Sequence, residues 1–353
     1  MAIDAQGNIW RTGQNLPVAL TANAFQKTES LSFCAEQQLS PFDSPTAVSC
    51  SHAYVTKQDA NGKVLYATYL GGSSEDGGIA ITTDGQGNAY VTGFTYSNDF
   101  PVTTGAVQRR NAGPNAPTVV LESITPFGPR AVLPGGDVFV TKFAPDGTLL
   151  YSTLLGGAGS DVPASIGVDS SGSVGVAGTT ASSDFPVTSD GVQSPGGSFF
   201  ARVNPQATSL IYATYSAETI QAFDIDGLGN AFLTGLSRAG PYVSKVNTSN
   251  GHVVYTATLS SLNAKIAGAG AVVAATGSGE AWVGVSPAPP LYPLGPSFLV
   301  RLSAGGSSIL AETDVDRSQF DAVSEDGEGN LYICGAVSLP TRILPSPHVC
   351  RRT

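Results

Sequence analysis

Apolar and polar residues alternate along this chain in short runs with a period of two, which is the pattern of half-buried β-strands. Pairs of such runs flank one polar turn, which reads Asp-x-x-Gly-Asn in its best copies. The copies begin at Asp4, Asp84, Asp169, Asp226, Thr276 and Asp326, and are 80, 85, 57, 50 and 50 residues apart. A repeat of 40 to 50 residues made of short strands is typical of a β-propeller blade. The pattern therefore predicts an all-β chain folded as a β-propeller.

The second copy shows the strands of one complete unit. Strand A is predicted at residues 79–81, and the polar turn leads into strand B at residues 89–93. A long excursion precedes strand C at residues 138–143, which a Pro-Asp-Gly turn joins to strand D at residues 149–155. Hairpin turns between A and B and between C and D make the strands antiparallel neighbours. Each blade is therefore predicted to be a four-stranded antiparallel sheet.

Six copies predict six blades in one domain that spans residues 1–353. The predicted blades start near residues 2, 78, 164, 220, 270 and 320, with long insertions at 14–51 and 94–137. The sixth has a strand B but no C–D hairpin, although residues 348–352 have the character of a strand C. We therefore expect an incomplete last blade, and a truncated seven-bladed propeller is the alternative. Because Met1 leads directly into a repeat strand, without a signal peptide, the start of the sequence suggests a fragment or a misplaced start codon.

Sparse charge limits the kinds of partner. Charged residues make up 12% of the chain, the formal net charge is −10, and Lys and Arg form no cluster. A nucleic acid or an anionic membrane surface needs such clusters, so we expect neither as a partner. No run of about 18 apolar residues occurs, so we expect no membrane insertion. The composition favours an exported bacterial protein, and we expect a monomer.

The four cysteines, Cys34, Cys50, Cys334 and Cys350, form two pairs with the same separation of 16 residues. Each pair spans an irregular, proline-containing segment after a predicted strand B. Of the three pairings that four cysteines allow, we favour disulfides Cys34–Cys50 and Cys334–Cys350. Free buried thiols are the alternative interpretation.

Three motifs carry a resemblance to a known family. They are Tyr-Ala-Thr-Tyr-Leu-Gly-Gly at residues 66–72, the polar turn and strand at residues 84–93, and Asp-Phe-Pro-Val-Thr-Thr-Gly-Ala-Val-Gln at residues 99–108. Related strings recur at residues 151–157, 184–188 and 191–193, with a faint copy at 16–18 and 24–26. Together they resemble the bacterial SBBP β-propeller repeat, strongly over residues 52–200 and more weakly from 200 to 337. The resemblance implies a propeller in a secreted or cell-surface protein, and it offers no catalytic residues. The family name implies seven blades.

Each predicted strand C opens with an aromatic residue and closes with a base. The bases are Lys57, Lys142, Arg202, Lys245 and Arg301. We interpret them as structural charges near the blade edges, and a functional cationic ring is the alternative. Because A–B and C–D turns share one face, the variable B–C and D–A connections lie on the other. Long loops on a rigid scaffold commonly bind ligands, so we place binding on that loop-rich face.

Acidic residues in the D–A connections are the candidate ligand-binding residues. Glu75, Asp76, Asp161 and Glu218 are predicted near the mouth of the central channel, where they would bind sugar hydroxyls or a cation. Their oxygen ligands suit Ca²⁺, so calcium is the one cofactor we consider, and no metal site is assigned. The alternative is that these residues are solvated acidic turns.

Three functional hypotheses follow. The leading one is a non-catalytic propeller of an exported or cell-surface bacterial protein that binds a glycan or protein partner through its loop-rich face. The second is an enzyme, a lyase or a glycoside hydrolase, that uses carboxylates at the channel mouth. Close approach of Asp76 or Asp161 to another acid, with a raised pKa, would favour the second. The third is a purely structural spacer. The chain has no Gly-x-Ser-x-Gly elbow in a strand–helix context and no phosphate-binding loop, so we lean against catalysis.

Overall fold

The fold was obtained as a computed structural model. It describes residues 1–29, 33–37, 46–113, 120–125, 128–132, 136–226, 228–259, 268–287, 297–315, 318–325, 331–337 and 348–352. The predicted polar turn at residues 326–330 lies outside the described residues, as do the side chains of Cys34, Cys334 and Cys350.

Twenty-seven strands are described, and most belong to six sheets that follow one another along the chain. The A strands are β1 (Ala2–Ile3), β7 (Asp76–Thr83), β13 (Asp161–Val168), β17 (Thr219–Ile225), β21 (Gly268–Ala275) and β25 (Ser318–Glu325). The B strands are β2 (Ile9–Gln14), β8 (Ala89–Thr95), β14 (Val174–Thr180), β18 (Asn230–Ser237), β22 (Ala281–Pro287) and β26 (Leu331–Val337). The C strands are β5 (Ala53–Gln58), β11 (Asp137–Phe143), β15 (Ser198–Val203), β19 (Gly240–Asn247), β23 (Ser297–Leu302) and β27 (His348–Arg352). The D strands are β6 (Val64–Leu70), β12 (Leu149–Leu155), β16 (Leu210–Ser216), β20 (Val253–Thr258) and β24 (Ile309–Val315).

Every sheet has the antiparallel order A-B-C-D, and we number the sheets as blades 1 to 6. Blades 1 to 5 have four strands, and blade 6 has three among the described residues. In blade 6, β27 pairs with β26 and places Cys350 opposite Cys334, as a strand C should. Two further hairpins lie within the long insertions: β3 (Phe33–Gln37) pairs with β4 (Thr46–Ser49), and β9 (Val120–Thr125) with β10 (Gly128–Val132). The prediction of an all-β propeller of four-stranded antiparallel blades is confirmed.

The apolar core is divided into clusters that lie between neighbouring blades. Between blades 1 and 2, Trp10 and Tyr66 pack with Val91, Phe139 and Phe143, all of which are buried. The clusters between the later pairs of blades are built in the same way. From blade 2 to blade 6, strand A contacts the preceding blade, beginning with β7 against β2 and ending with β25 against β21. Each sheet therefore buries its faces against its neighbours.

The recurring polar turn is held by its first aspartate. Asp84 Oδ1 accepts hydrogen bonds from the backbone N–H groups of Gln86 and Asn88, at 3.0 and 2.9 Å. The Asn88 side chain donates to Oδ2, and Gly87 has a φ of +81°, which glycine adopts without strain. The turns that begin at Asp4, Asp169 and Asp226 repeat these backbone contacts. The motif is therefore a self-contained hairpin turn.

The base that closes strand C pairs with the acid of its own blade's polar turn. The pairs are Lys57–Asp4, Lys142–Asp84, Arg202–Asp169, Lys245–Asp226 and Arg301–Glu280. Four of these bases also lie over the first aromatic ring of strand B, at 4.7 to 5.5 Å from its centroid. In blade 6, Arg352 stands opposite Tyr332 in the same register. The bases therefore have the structural role that their spacing predicted.

Several of these bases also bind the next blade. Lys57 Nζ donates to the carbonyl of Pro145 at 3.2 Å, and Lys245 Nζ donates to that of Gly279 at 2.9 Å. Arg202 donates to the carbonyl of Thr248 at 3.1 Å. Each acceptor lies in a turn of the following blade, so the bases join neighbouring sheets.

A tyrosine of strand D packs on a glycine in the next blade's C–D turn. The pairs are Tyr66 on Gly147, Tyr212 on Gly251 and Tyr255 on Gly306, and in each a Cβ on the glycine would overlap the ring. Blade 3 has Ala207 in this turn, with a φ of +53°. At Gly62, in blade 1, a Cβ would have nothing within 4 Å. These contacts are a second repeated link between successive blades.

Candidate functional site

Two D–A connections, residues 71–75 and 156–160, have the same architecture. In the first, Asp76 accepts hydrogen bonds from the Gly72 N–H at 2.9 Å and from Ser97 Oγ at 3.0 Å. In the second, Asp161 accepts them from the Gly157 N–H at 2.9 Å and from Ser182 Oγ at 2.8 Å. Asp76 and Asp161, expected at the channel mouth, are fully buried because these donors hold them under the loop.

Further side chains hydrogen-bond to the backbone of the Gly-Gly turn that opens each D–A connection. The amide oxygens of Gln26 and Gln108 accept from the first glycine of their turns, at 2.8 and 3.0 Å. Asp99 accepts from the Ser73 N–H at 2.7 Å, and Asp184 accepts from the Ala158 N–H at 2.8 Å. The Gly-Gly, Asp-Phe-Pro and Gln motifs therefore meet at one place, and their shared role is structural.

The remaining two predicted acids lie apart from this arrangement. Glu75 is half-buried, accepts from the Ser51 N–H at 2.8 Å and has a pKa that burial raises. Glu218 lies between β16 and β17 and donates its backbone N–H to Ser216 Oγ at 3.2 Å. Glu75 adjoins Asp76, and within the described part of the chain no hydrogen bond joins Glu218 to any of the other three acids. Ligand binding by the four acids stays a prediction.

A buried histidine is the partner of Asp76. His52 Nδ1 lies 3.2 Å from Asp76 Oδ2, and His52 is 2% exposed. Burial raises the pKa of Asp76, and the hydrogen bond with His52 opposes that rise. A Cβ at Gly71 would touch both side chains, so the absence of a side chain at Gly71 allows the pair to sit under the turn.

In the second connection an acid stands where His52 stands in the first. Asp137 comes five residues before Lys142, as His52 comes five before Lys57. Asp137 is fully buried, its Oδ1 has no hydrogen-bond partner, and it meets Asp161 over Gly156. Burial, with the negative charges of Asp161 and Asp184, raises the pKa of Asp137 to about 7. A pair of buried acids therefore replaces a histidine–acid pair.

Both connections open beside a surface concavity. The first concavity, about 230 Å³, is polar and lies where two B–C loops and the first D–A loop meet. It is lined by Gln26, Thr28, Glu29, His52, Tyr69, Gly71, Gly72 and Asp99. The second, about 440 Å³, lies beside Gln108, Arg109 and Arg110. Burial and the nearby Glu29 raise the pKa of Tyr69, so its phenol stays protonated at neutral pH.

The repeated connections coincide with the segments that match a known family. The model of the beta-propeller repeat SBBP matches residues 65–101 and residues 150–186. These two segments are SBBP repeats. No curated protein matches the chain.

Solved structures of similar fold are distant in sequence. Hydrazine synthase of Kuenenia stuttgartiensis aligns at 11% identity and a TM-score of 0.42, over 59% of this chain and 56% of its own. A protein of unknown function from Bacteroides caccae aligns at 10% identity and 0.42, over 75% and 77%. The Dos1 propeller aligns at 7% identity and 0.41, over 81% of this chain and 60% of its own. The chain thus spans less than two thirds of the hydrazine synthase chain.

The two repeated D–A connections therefore differ in the buried residue beside their aspartate, which is His52 in the first and Asp137 in the second. The sequence patterns did not single out His52 or Asp137 as candidate site residues. His52 and Asp137 each precede the base that closes strand C by five residues, and this equal spacing was the sequence signal that could have identified both. In the described part of the chain, no three His, Cys, Asp or Glu side chains gather as a metal site would need. No described helix is long and apolar enough to cross a membrane.

We expect the acid pair at the second D–A connection, Asp137 and Asp161, to make stability depend on pH. The pKa of Asp137 is about 7 in the folded protein and about 4 in an unfolded chain. As pH rises from about 4 to 7, the unfolded chain releases this proton while the folded protein keeps it. The free energy of unfolding should therefore fall across that window, by up to about 1.4 kcal/mol per pH unit.

Urea unfolding of wild type and Asp137→Asn at pH 4.5 and 7 measures this effect. Asparagine keeps the shape of a protonated acid, so the variant should lose much less stability between the two pH values. Asp137→His, which copies the His52–Asp76 pair of the first D–A connection, should also reduce the loss. Equal losses in wild type and Asp137→Asn would show that Asp137 ionises normally.

Proposed function

We propose that this protein is a non-catalytic propeller of an exported bacterial protein, and that it binds a glycan in the concavity beside its first SBBP repeat. One observation carries the proposal: a polar concavity of about 230 Å³ lies on the loop-rich face, where three connections meet. Binding sites commonly form where loops converge on a rigid scaffold.

The lining of the concavity suits sugar hydroxyls. Glu29 and Asp99 offer carboxylate acceptors, and Tyr69 adds an aromatic ring with a hydroxyl. Glu29 and Asp99 are exposed, and Tyr69 is half-buried, so these groups can reach a ligand. A protein partner on the same face is the alternative occupant.

A glycan array followed by titration of the best hit tests the proposal. Glu29→Ala should weaken binding about tenfold or more, because a hydrogen bond to a charged group contributes about 1.5–3 kcal/mol. Asp190→Ala is the control, since Asp190 is an exposed acid on the B–C connection of blade 3, away from the concavity. No glycan hit, or equal affinity in Glu29→Ala and wild type, would overturn the proposal.

One observation favours a glycoside hydrolase or lyase as the second candidate. Asp137 and Asp161 lie close together and both have raised pKa values, as a catalytic acid requires. Both side chains are fully buried, whereas a catalytic acid has to reach its substrate, so we rank this function second. Glycan cleavage that is abolished in Asp137→Asn would establish the enzyme, and its absence from wild type would exclude it.

Export to an oxidising compartment, at the cell surface or in the periplasm, is proposed together with disulfides Cys34–Cys50 and Cys334–Cys350. Antiparallel pairing of β26 and β27 puts Cys334 opposite Cys350, within the span that a disulfide bridges. Cys50 is buried directly after β4, whose partner strand contains Cys34. Thiol titration of the denatured, unreduced protein should find no free thiol, and four free thiols would contradict both bridges.

A further inference from the structure

The outer edge of strand D is covered in the first three blades by a segment of the chain itself. The N–H groups of Thr21, Thr103 and Thr188 donate to carbonyls of β6, β12 and β16, at 3.2, 3.0 and 3.0 Å. The threonine hydroxyls accept the N–H groups of the same strand residues, Ala67, Ser152 and Ala213, at 3.1, 3.1 and 3.0 Å. These covered residues are fully buried. The covering segments belong to the long B–C connections.

Blade 4 has no such segment because its B–C connection is a tight turn from Ser237 to Gly240. Lys245 pairs with Tyr255 as Lys57 pairs with Tyr66, so Thr256 corresponds to the covered Ala67. The backbone groups of Thr256 and Thr258 point away from β19, and no hydrogen bond to them occurs within the described chain. Both residues are exposed.

The chemistry of β20 also distinguishes it from other exposed edges. Val253–Thr258 contains no charged residue, and Val253 and Val254 are each 52% exposed. On β24 the equivalent outward positions are Glu312 and Asp314, and charges of this kind discourage strand pairing. An uncharged edge with free backbone donors and acceptors is suited to strand addition.

We propose that the outer edge of β20 binds an extended, uncharged, threonine-bearing segment of a partner protein by strand addition. The three covered blades show the recognition chemistry. In each of these blades, the backbone and the hydroxyl of a threonine hydrogen-bond to the strand D residue that corresponds to Thr256. Thr258, the next residue of β20 whose backbone groups point outward, would extend this hydrogen-bond ladder. The surface is separate from the proposed glycan concavity, which lies between blades 1 and 2.

A labelled synthetic peptide with residues 100–108, Phe-Pro-Val-Thr-Thr-Gly-Ala-Val-Gln, is the probe. Fluorescence anisotropy with the full chain should show saturable binding below about 1 mM. Thr256→Pro removes the outward N–H and leaves pairing with β19, so affinity should fall at least about tenfold. Thr256→Lys, which keeps the backbone and adds an edge charge, should weaken binding as well. Leu310→Thr, on the outer strand of blade 5, should leave it unchanged.

Lack of saturable binding would overturn the proposal, as would equal affinity in wild type and Thr256→Lys. Circular dichroism of each variant confirms that the fold is kept. Self-association of the wild type that both Thr256 variants abolish would identify a second copy as the occupant and overturn the assignment to a different partner.

Discussion

Gly147→Ala should destabilise the protein far more than Gly62→Ala. Both glycines lie in C–D turns, with φ values of +88° and +82°, so alanine adds about 1–2 kcal/mol of backbone strain at each. Only Gly147 lies beneath a buried ring, that of Tyr66, which a new methyl group would displace. Forcing extra volume into a packed site costs about 1–3 kcal/mol more.

Urea unfolding of both variants measures the difference. Gly62→Ala should lose about 1–2 kcal/mol, and Gly147→Ala about 2–5 kcal/mol. The shared φ makes Gly62 the matched control for backbone strain. Equal losses would mean that no ring lies over the C–D turn of blade 2.

Lys57→Met should also cost several kcal/mol. Lys57 Nζ lies 3.3 Å from Asp4 Oδ2, 4.9 Å from the centroid of the Trp10 ring, and bonds to the carbonyl of Pro145 in blade 2. Asp4 has no exposed side-chain surface, so removal of the lysine leaves a buried carboxylate without its counter-charge. Breaking such a pair by removing one partner costs about 3–5 kcal/mol.

Lys63→Met is the control, since Lys63 is exposed and lies in the C–D turn of the same blade. The control should change the free energy of unfolding by less than about 0.5 kcal/mol. Thermal unfolding provides an independent measure of which variant is less stable, and we expect the lower melting temperature for Lys57→Met. A Lys57→Met protein as stable as the Lys63→Met protein would contradict the structural role assigned to the bases.

Local motifs explain why the fold was predictable. The polar turn that begins at Asp84 satisfies its own backbone within five residues, so the motif marks A–B hairpins without knowledge of the rest of the chain. The final strand was harder, because residues 348–352 carry little of the pattern and are recognised as strand C through their pairing with β26.

The contacts between blades were less accessible to sequence reasoning. The recurrence of tyrosine in strand D and of glycine in the C–D turn is visible in the chain. That Tyr66 packs on Gly147, 81 residues away, depends on how two sheets abut, and no local pattern encodes it. The bases were predicted as structural, but their bonds to the next blade were not.

The burial of Asp76 and Asp161 is the feature of the candidate site that the sequence did not predict. Asp76 and Asp161 stand in loops rich in glycine and serine, which normally signals solvent exposure. The hydrogen bonds from Ser97 and Ser182 come from a different connection and draw both acids inward. The pairing of Asp161 with Asp137 likewise crosses from strand C to the next blade, so only the three-dimensional arrangement reveals it.

The central claim, that successive four-stranded blades pack directly against each other, is tested most directly by a double-mutant cycle between Tyr66 and Gly147. Gly147→Ala should be costly in the wild type, and in a Tyr66→Ala background it should cost no more than the backbone strain seen in Gly62→Ala. The predicted coupling is about 1–3 kcal/mol. The same cost in both backgrounds would show that blade 1 does not pack on the turn of blade 2, and it would contradict the propeller arrangement described above.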